Sequence, residues 1–269
     1  AASGMRAQQV NVDTIANNVA NINTIGYKSQ QASFKSLLYQ NLQSTSTNNA
    51  GENKPVAAEV GLGSRVAAIT STFTQGNLTH VENPFSVALE GDGFFQIRTE
   101  SGELQYTRDG SFEISPVANG NMLCTSDGNP VLDAYGNQII LPSNRVATDL
   151  VVNQDGTLAF PDGTGNPAVI TDANGRPVKF GIYQFNNPAG LSKEGSNNYS
   201  VTVASGAAVA ENGNAAVKQT KTHQYYTEAS NVDVANEMVN LIVAQRAYEM
   251  NSKAIQASDE MMQQANALR

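Results

Sequence analysis

Two long amphipathic stretches, one at each end, constrain the fold of this chain more than any other feature. In the first, from Ala1 to roughly Asn23, large side chains recur at alternating steps of three and four residues, which is the spacing of one helix face. Ser230 with Asp233 predicts a capping-box-like start for the second stretch, and Gly26 is predicted to stop the first. The two stripes consist of Met5, Gln8, Val12, Ile15, Val19 and Ile22, and of Val234, Met238, Leu241, Gln245, Tyr248, Ser252, Ile255 and Met262.

The middle of the chain has a different pattern of residues. Short β-branched and aromatic runs alternate with turn dipeptides that favour positive φ angles in tight hairpins. The dipeptides are Asp92-Gly93, Asp109-Gly110, Asp127-Gly128, Asp155-Gly156, Asp162-Gly163 and Asn174-Gly175. We therefore predict an all-β domain over roughly residues 65–225. Its strands are expected to include residues 65–73, 94–98, 111–114, 138–141 and 179–184.

These patterns predict an α+β fold in which the long N- and C-terminal helices pair as a coiled-coil-like layer, with a central all-β domain and an extended linker arm. The predicted boundaries are an N-terminal helix in 1–30, the arm in 31–64, the β domain in 65–227 and a C-terminal helix in 228–269. Phe34, Leu37 and Leu38 are compatible with a short helix or with an extended arm. Residues 44–54 are polar, small and without period, as in a mobile loop.

Both terminal stretches carry a second apolar or small-residue edge beside the main stripe. One helix pair hides only one seam, so this wider surface indicates neighbours from other subunits. The alternative, that the helices pack on the β domain of their own chain, stays open. The second edges are Ala16 and Ala20, and Val239, Ile242, Ala247, Ala254, Met261 and Leu268.

Asparagine is unusually dense on both predicted helices, although each Asn costs roughly 0.5 kcal/mol of helix propensity relative to Ala. Amides that bond across helices fix register at some cost in stability, and we favour that interpretation over a solvated face. The candidate assembly interface is therefore Met5, Gln8, Val12, Ile15, Asn17, Asn18, Val19, Asn21, Ile22, Val234, Met238, Leu241, Gln245, Tyr248, Ile255 and Met262.

Composition excludes several classes of function. With 16 Lys and Arg against 24 Asp and Glu, the net charge is −8, which argues against a nucleic-acid coat. One cysteine, Cys124, allows no intrachain disulfide, and with two histidines it cannot complete a Cys/His zinc site without carboxylates. No apolar run approaches the roughly 20 residues needed to span a bilayer, and the first residues show no cleavable signal pattern.

Motifs of enzymes are also missing from the sequence. There is no G-x-S-x-G, no G-x-x-x-x-G-K-[ST], and Gly61-Leu62-Gly63 lacks the third glycine of a dinucleotide site. The turn at residues 153–156 does not continue with the spacing of a calcium loop. We therefore predict no catalytic residue, no cofactor, no metal and no enzyme. A competing class is a secreted β-domain binding protein or hydrolase whose helices form only an oligomerisation stalk.

Three separate runs resemble one protein family. SGMRAQQVNVDTIANNVANINTIGYK, from Ser3 to Lys28, is similar to the N-terminal signature of bacterial flagellar rod and hook proteins. SNVDVANEMVNLIVAQRAYEMNSKAIQASDEMM, from Ser230 to Met262, resembles the C-terminal signature of that family. EGDGFFQI and YTRDGSFEI, residues 90–97 and 106–114, are similar to its central strands. Residues 37–40, the polar insertion to about Pro55 and the ending QANALR resemble rod members rather than the hook protein.

The resemblance implies a structural subunit of the flagellar basal body. It implies a homo-oligomeric helical polymer that forms a hollow tube, transmits torque, contributes to the export channel and contacts other rod and hook proteins. It also implies delivery by the flagellar type III export apparatus without a cleavable signal peptide, and no nucleic-acid binding or membrane insertion. Residues 44–54 would then separate straight rod from bending hook by wedging between neighbours. Another rod or hook member of the same family remains the alternative.

Overall fold

The chain divides into two compact units that differ in secondary structure. The computed structural model describes residues 2–43, 58–162, 166–172, 174–214 and 216–267. One unit, the helical unit, comprises residues 1–20, 30–71 and 233–269, and the other, the β unit, comprises residues 21–29 and 72–232. Residues 65–71 therefore lie with the helices and residues 21–29 with the β unit, unlike the boundaries expected from sequence. The predicted α+β fold, with a helix at each end and a mostly β centre, is confirmed.

In the part of the helical unit that the structure describes, there are both long helices and four strands. Its elements are α1 (Ala2–Ala20), β1 (Gln30–Ser36), β2 (Tyr39–Gln43), β3 (Ala58–Gly61), β4 (Ser64–Ser71) and α2 (Val234–Ala267). Helix α1 packs against α2 and also against β1 and β4. The four strands form one antiparallel ribbon, in which β1 pairs with β4 and β2 with β3. Phe34 thus lies in an extended strand, and the helix alternative for this segment is wrong.

The end of α1 differs from the prediction. The helix ends at Ala20, so Asn21 and Ile22 lie in the turn that follows rather than on its stripe. Gly26 is not the helix stop. It has a φ of 70°, its N–H donates to the carbonyl oxygen of Glu228 at 2.8 Å, and a Cβ there would lie 2.9 Å from the backbone of Arg108. A left-handed glycine at this position allows two backbone segments of the β unit to approach closely.

Helix α2 begins with one capping residue. A carboxylate oxygen of Asp233 accepts the backbone N–H of Ala235 at 3.0 Å and that of Asn236 at 3.4 Å, which satisfies two donors of the first turn. Ser230 does not take part in the cap, because its hydroxyl accepts the N–H of Val232 in the preceding turn. The predicted start of the helix is therefore correct for Asp233 and wrong for Ser230.

The described residues of the β unit form sixteen strands. They are β5 (Leu78–His80), β6 (Val87–Glu90), β7 (Phe94–Arg98), β8 (Leu104–Thr107), β9 (Glu113–Val117), β10 (Gly120–Cys124), β11 (Ile140–Leu141), β12 (Val151–Val152), β13 (Leu158–Asp162), β14 (Asn166–Val169), β15 (Ile182–Gln184), β16 (Ser192–Gly195), β17 (Asn198–Ser200), β18 (Val209–Ala210), β19 (Lys221–Gln224) and β20 (Tyr226–Glu228). The largest sheet has the order β16-β17-β8-β7-β15-β18.

Strand β7 is buried on both faces and organises the core. Phe95 and Ile97 point into a cluster of aliphatic and aromatic side chains, and Phe94, on the opposite face, packs with Tyr106 and Tyr199. Full burial of one such side chain stabilises the fold by about 1.5–3 kcal/mol. The predicted strand at residues 94–98 coincides with β7, whose first four residues are all buried, the polar Gln96 included.

The predicted turn glycines separate into two groups. Gly128, Gly156 and Gly175 have φ angles of 83°, 80° and 74°, as predicted for tight turns. Gly93 and Gly110 do not have positive φ. A Cβ at Gly110 would overlap the carbonyl oxygen of Val87, so this glycine serves close backbone approach instead. The remaining dipeptide, at residues 162–163, extends outside the described residues. Residues 44–54, predicted as a mobile loop, also lie outside them.

Candidate assembly surface

The two helices of the helical unit run antiparallel in a defined register. Gly4 lies against the side chain of Asn251, and Asn18 bonds to Glu237, so the contacts are fourteen residues apart in each helix. Halfway between Glu237 and Asn251, Ala244 is 1% exposed. The small residues Gly4 and Ala244 let the two backbones approach closely at these two points of the seam.

Asn18 connects three elements of the helical unit. Its amide group donates to the backbone carbonyl of Gln30 at 2.8 Å and to a carboxylate oxygen of Glu237 at 2.9 Å, and its oxygen accepts the N–H of Gln30 at 2.8 Å. The residue is 1% exposed. The predicted amide bond across helices exists, but it joins α1 to α2 and β1 within one chain. A direct contact of Asn18 with a neighbouring subunit is not what this geometry indicates.

Three predicted interface residues line one cleft between the helices. Val12 lies on the α1 side with Gln9, and Gln245 and Tyr248 lie on the α2 side with Glu249. The cleft has a volume of about 340 Å³. It keeps the seam open at this level of the helix pair.

Most of α2 is exposed. Among its described residues, Ala244 alone is buried, although the helix has 34 residues. Its large apolar residues that remain exposed are Val234, Met238, Val239, Ile242, Val243, Tyr248, Met250, Ile255, Met261 and Met262. So many exposed apolar side chains on one helix are typical of an interaction site.

The predicted stripes are thus only partly on the seam. Ile15 is buried, while Asn17 is exposed on α1. Partly buried are Met5, Gln8, Val12, Val19, Asn21, Ile22 and Leu241. Exposed on α2 are Val234, Met238, Gln245, Tyr248, Ile255 and Met262. Sequence periodicity missed Val243 and Met250, because both lie off the two edges that it identified.

The β unit contains a buried ion cluster that sequence reasoning also missed: Lys28, Arg108 and Glu228. The ammonium of Lys28 lies 2.6 Å from one carboxylate oxygen of Glu228, and a guanidinium nitrogen of Arg108 lies 3.4 Å from the other. Their side chains are at most 1% exposed. The backbone N–H of Gly76 also donates to Glu228 at 2.8 Å, and the guanidinium of Arg108 stacks over the ring of Phe94.

Burial sets the electrostatics of this cluster. Desolvation lowers the pKa of the Lys28 ammonium, and attraction to Glu228 opposes that shift. Burial likewise lowers the pKa of Arg108, against attraction to Glu228 and Asp92. The cluster holds residues 21–29 to the last strand of the β unit, since Lys28 precedes β1 and Glu228 ends β20. Neither the hydrophobic periodicity nor a turn dipeptide in the sequence predicts the contact between these three side chains.

The single cysteine lies in the core of the β unit. Cys124 is 5% exposed, and burial raises the pKa of its thiol. A thiol of this kind is a poor nucleophile. Within the described ranges, no three His, Cys, Asp or Glu side chains lie close enough to hold a metal ion, and no described helix is long and apolar enough to cross a membrane.

The fold and its exposed helices define a class of protein: a structural subunit whose terminal helices lie side by side. Three family models match the chain. They are "Flagella basal body rod protein" over residues 1–28, "Flagellar hook protein FlgE/F/G D1 domain" over residues 88–160 and "Flagellar basal body rod FlgEFG protein C-terminal" over residues 223–268.

Full-length relatives agree with these matches. The flagellar basal-body rod protein FlgG of Borreliella burgdorferi is 42% identical, and the match covers 100% of this chain and 97% of the relative. FlgG of Caulobacter vibrioides is 37% identical with the same coverage. The flagellar hook-basal body complex protein FlhP of Bacillus subtilis is 32% identical over 100% of this chain and 97% of its own length.

The chain therefore belongs to the flagellar basal-body rod protein family. The prediction of a structural subunit of the flagellar basal body is confirmed, and the similarity to FlgG along the whole chain supports a structural subunit of the distal rod. Membership of this family places the chain at the flagellar basal body, among components that assemble with other rod and hook proteins.

Proposed function

We propose that the chain polymerises through α1 and α2 into a hollow helical tube that transmits torque and forms part of the export channel. The single observation that carries this proposal is the exposure of α2. A helix of 34 residues with one buried residue among those described has ten large apolar side chains in contact with solvent. Burial against other copies removes that surface from water, at about 25 cal/mol for each Å².

The helix pair supports a layered arrangement of subunits. The antiparallel register from Gly4–Asn251 to Asn18–Glu237 gives each copy a straight two-helix element, which we propose forms a coiled-coil-like inner layer. The candidate interface then consists of the exposed and half-exposed predicted residues on this element. We propose that the β ribbon, β1 to β4, serves as the linker arm that we predicted over residues 31–64.

Identical subunits that meet through two different surfaces give an open helical array unless the rotation closes a ring. Such an array is stiff when each contact buries a large area, and it encloses a channel when the subunits surround an axis. We propose that the flagellar export apparatus delivers the chain without a cleavable signal, that it acts without catalysis, cofactor or metal, and that it contacts other rod and hook proteins at the ends of the tube. Residues 44–54 are proposed to wedge between neighbours.

Truncation at a boundary taken from the structure tests the proposal. The variant keeps residues 1–232 and lacks α2. The end point matters because the side chain of Asn231 accepts the N–H of Ser29 at 2.7 Å and donates to the carbonyl of Thr72 at 2.8 Å inside the β unit. We expect tubes or filaments of the full chain in electron micrographs, none from the variant, and an unchanged melting temperature of the β unit.

A second truncation provides the matched control. A chain that ends at residue 229 loses Asn231 as well, and its β unit should melt at a lower temperature than that of the 1–232 variant. A full-length chain that stays monomeric at high concentration, with the amide protons of α2 protected from exchange along the whole helix, would contradict the proposed function.

A further inference from the structure

Three asparagines of this chain precede a glycine: Asn119, Asn174 and Asn212. Asparagine is chemically labile in proteins, and this dipeptide supports an intramolecular reaction. The backbone nitrogen of the glycine attacks the side-chain amide carbon of the asparagine and forms a C–N bond, and the amide nitrogen leaves as ammonia with the proton of the glycine N–H. Water then opens the five-membered imide at either carbonyl, which gives aspartate or isoaspartate. The reaction therefore requires a glycine nitrogen that the asparagine side chain can approach freely.

The fold crowds the backbone nitrogen that follows Asn119. Gly120 is buried at the start of β10 and pairs with Val117 across the β9–β10 hairpin. A Cβ at Gly120 would overlap the carbonyl oxygen of Leu141. The backbone at this position therefore has little room for the planar imide ring.

The nitrogen that follows Asn174 is exposed but hydrogen-bonded. The N–H of Gly175 donates to the backbone carbonyl oxygen of Asp172 at 2.8 Å, and the side-chain amide of Asn174 donates to a carboxylate oxygen of Asp172 at 3.4 Å. Attack by this nitrogen requires both bonds to break. The turn at residues 172–175 therefore slows the reaction at Asn174.

The turn at Asn212 is closed by a different N–H. The N–H of Asn214 donates to the carbonyl oxygen of Glu211 at 3.2 Å, and Gly213 has a φ of 76° at the third position of this four-residue turn. Asn212 and Gly213 are both exposed. Within the part of the chain that the structure describes, the N–H of Gly213 donates no hydrogen bond. Its nitrogen is therefore more accessible than the nitrogens after Asn119 and Asn174.

Glu211 holds the start of this turn in place. Its N–H donates to the carbonyl oxygen of Ile182 at 3.1 Å, and its carboxylate accepts the backbone N–H of Thr220 at 2.7 Å and the side-chain amide of Gln184 at 2.8 Å. The turn follows β18, which lies at one edge of the largest sheet. A covalent change at Asn212 therefore alters an exposed turn at the edge of the sheet and not the sheet itself.

We propose that Asn212 is a site of spontaneous covalent modification in the folded chain, where asparagine converts to aspartate and isoaspartate with release of ammonia. Isoaspartate adds one methylene group to the backbone, and both products add a negative charge next to Glu211. The reaction needs water and no second copy, so it does not depend on the proposed polymerisation. A copy that is retained for a long time accumulates the modification and thereby records its age.

Incubation of the folded full chain at mildly alkaline pH tests the site. Peptide mapping by mass spectrometry measures the rate of deamidation at each of the three asparagines in one sample. We expect Asn212 to react about tenfold faster than Asn119 and Asn174, since a hydrogen bond that must first open slows a reaction by about that factor.

Enzymatic methylation by a protein-isoaspartate methyltransferase provides a second measurement, because it counts isoaspartate in the intact chain. Asn212→Ser should remove most of the methylation that appears during incubation. Asn174→Ser, the matched change in the other exposed turn, should remove little of it.

The same incubation in guanidinium chloride separates the fold from the flanking sequence. Unfolding releases all three glycine N–H groups, so the three rates should become similar. Equal rates at Asn212 and Asn174 in the folded chain would overturn the proposal. A preference for Asn212 that is just as large in the unfolded chain would also overturn it, because the flanking residues would then select the site. A preference for Asn212 that disappears on unfolding supports it.

Discussion

Single buried side chains carry much of the specificity of this chain, and Glu228 is the strongest case. Its carboxylate forms ion pairs with Lys28 and Arg108 and also accepts the backbone N–H of Gly76. A buried carboxylate between two cations holds a definite arrangement because removal of the anion leaves both cations desolvated and unpaired. The three charged groups therefore pair in this arrangement only when the β unit is folded.

Glu228→Gln should destabilise the β unit by about 3–5 kcal/mol, the usual cost of breaking a buried ion pair. The measurement is denaturant unfolding of the full chain, followed by the near-ultraviolet circular dichroism of the tyrosines in the β unit. Glu194→Gln, at an exposed position on β16, is the matched control and should change the unfolding free energy by less than about 0.5 kcal/mol. Equal effects of the two substitutions would contradict the role of the cluster.

Asp109 should make stability depend on pH. Burial raises the pKa of its carboxyl above the ordinary value of 3.8, against hydrogen bonds from Ser111 that lower it. The folded state therefore binds more protons than the unfolded state above pH 3.8, so the free energy of unfolding falls as the pH rises from 3.8 through the folded pKa.

The substitution Asp109→Asn removes this titration and keeps an oxygen that accepts the N–H of Ser111, a bond of 2.9 Å in the parent chain. The stability of the variant relative to the parent should increase from pH 4 to pH 7. Thermal unfolding of both proteins across this range measures the difference. A difference that is constant with pH would show that Asp109 does not titrate as its burial implies.

Among the elements, α1 is the one whose sequence and structure disagree most instructively. Its apolar stripe predicted the helix but not which side chains lie deepest, because α1 contacts a helix on one face and a ribbon on another. The buried positions are Ala7, Thr14, Ile15 and Asn18. Two of these four are polar, and each hydroxyl or amide has a hydrogen-bond partner, such as the carbonyl of Val10 for Thr14.

Asn18→Ala should destabilise the helical unit by about 1–3 kcal/mol, since it leaves buried groups of Gln30 and Glu237 without a partner. The gain in helix propensity, roughly 0.5 kcal/mol, is too small to offset this loss. Far-ultraviolet circular dichroism during thermal unfolding reports the helices. Asp13→Ala, exposed on the same helix, is the control and should be neutral or slightly stabilising. A more stable Asn18→Ala chain would contradict the three-element connection.

For the whole molecule, the sequence predicted the kinds of structure better than their association. Period and turn dipeptides placed both helices, strand β7 and three of the glycine turns, because these depend on local propensity and burial. The sequence did not predict the division into units. Residues 21–29 join the β unit through the contacts of Lys28, and residues 65–71 join the helical unit through the pairing of β4 with β1. Such contacts connect positions about 30 to 200 residues apart, and no local pattern records them.

The exposed apolar side chains of α2 also affect how the chain can be stored before use. A single unassembled copy exposes these apolar side chains to water. Its tendency to aggregate therefore increases with the concentration of free copies in solution. Aggregation before assembly therefore sets an upper limit on the concentration of the free chain. A cell that makes the chain must assemble it about as fast as it is synthesised, or keep α2 bound to another protein until assembly.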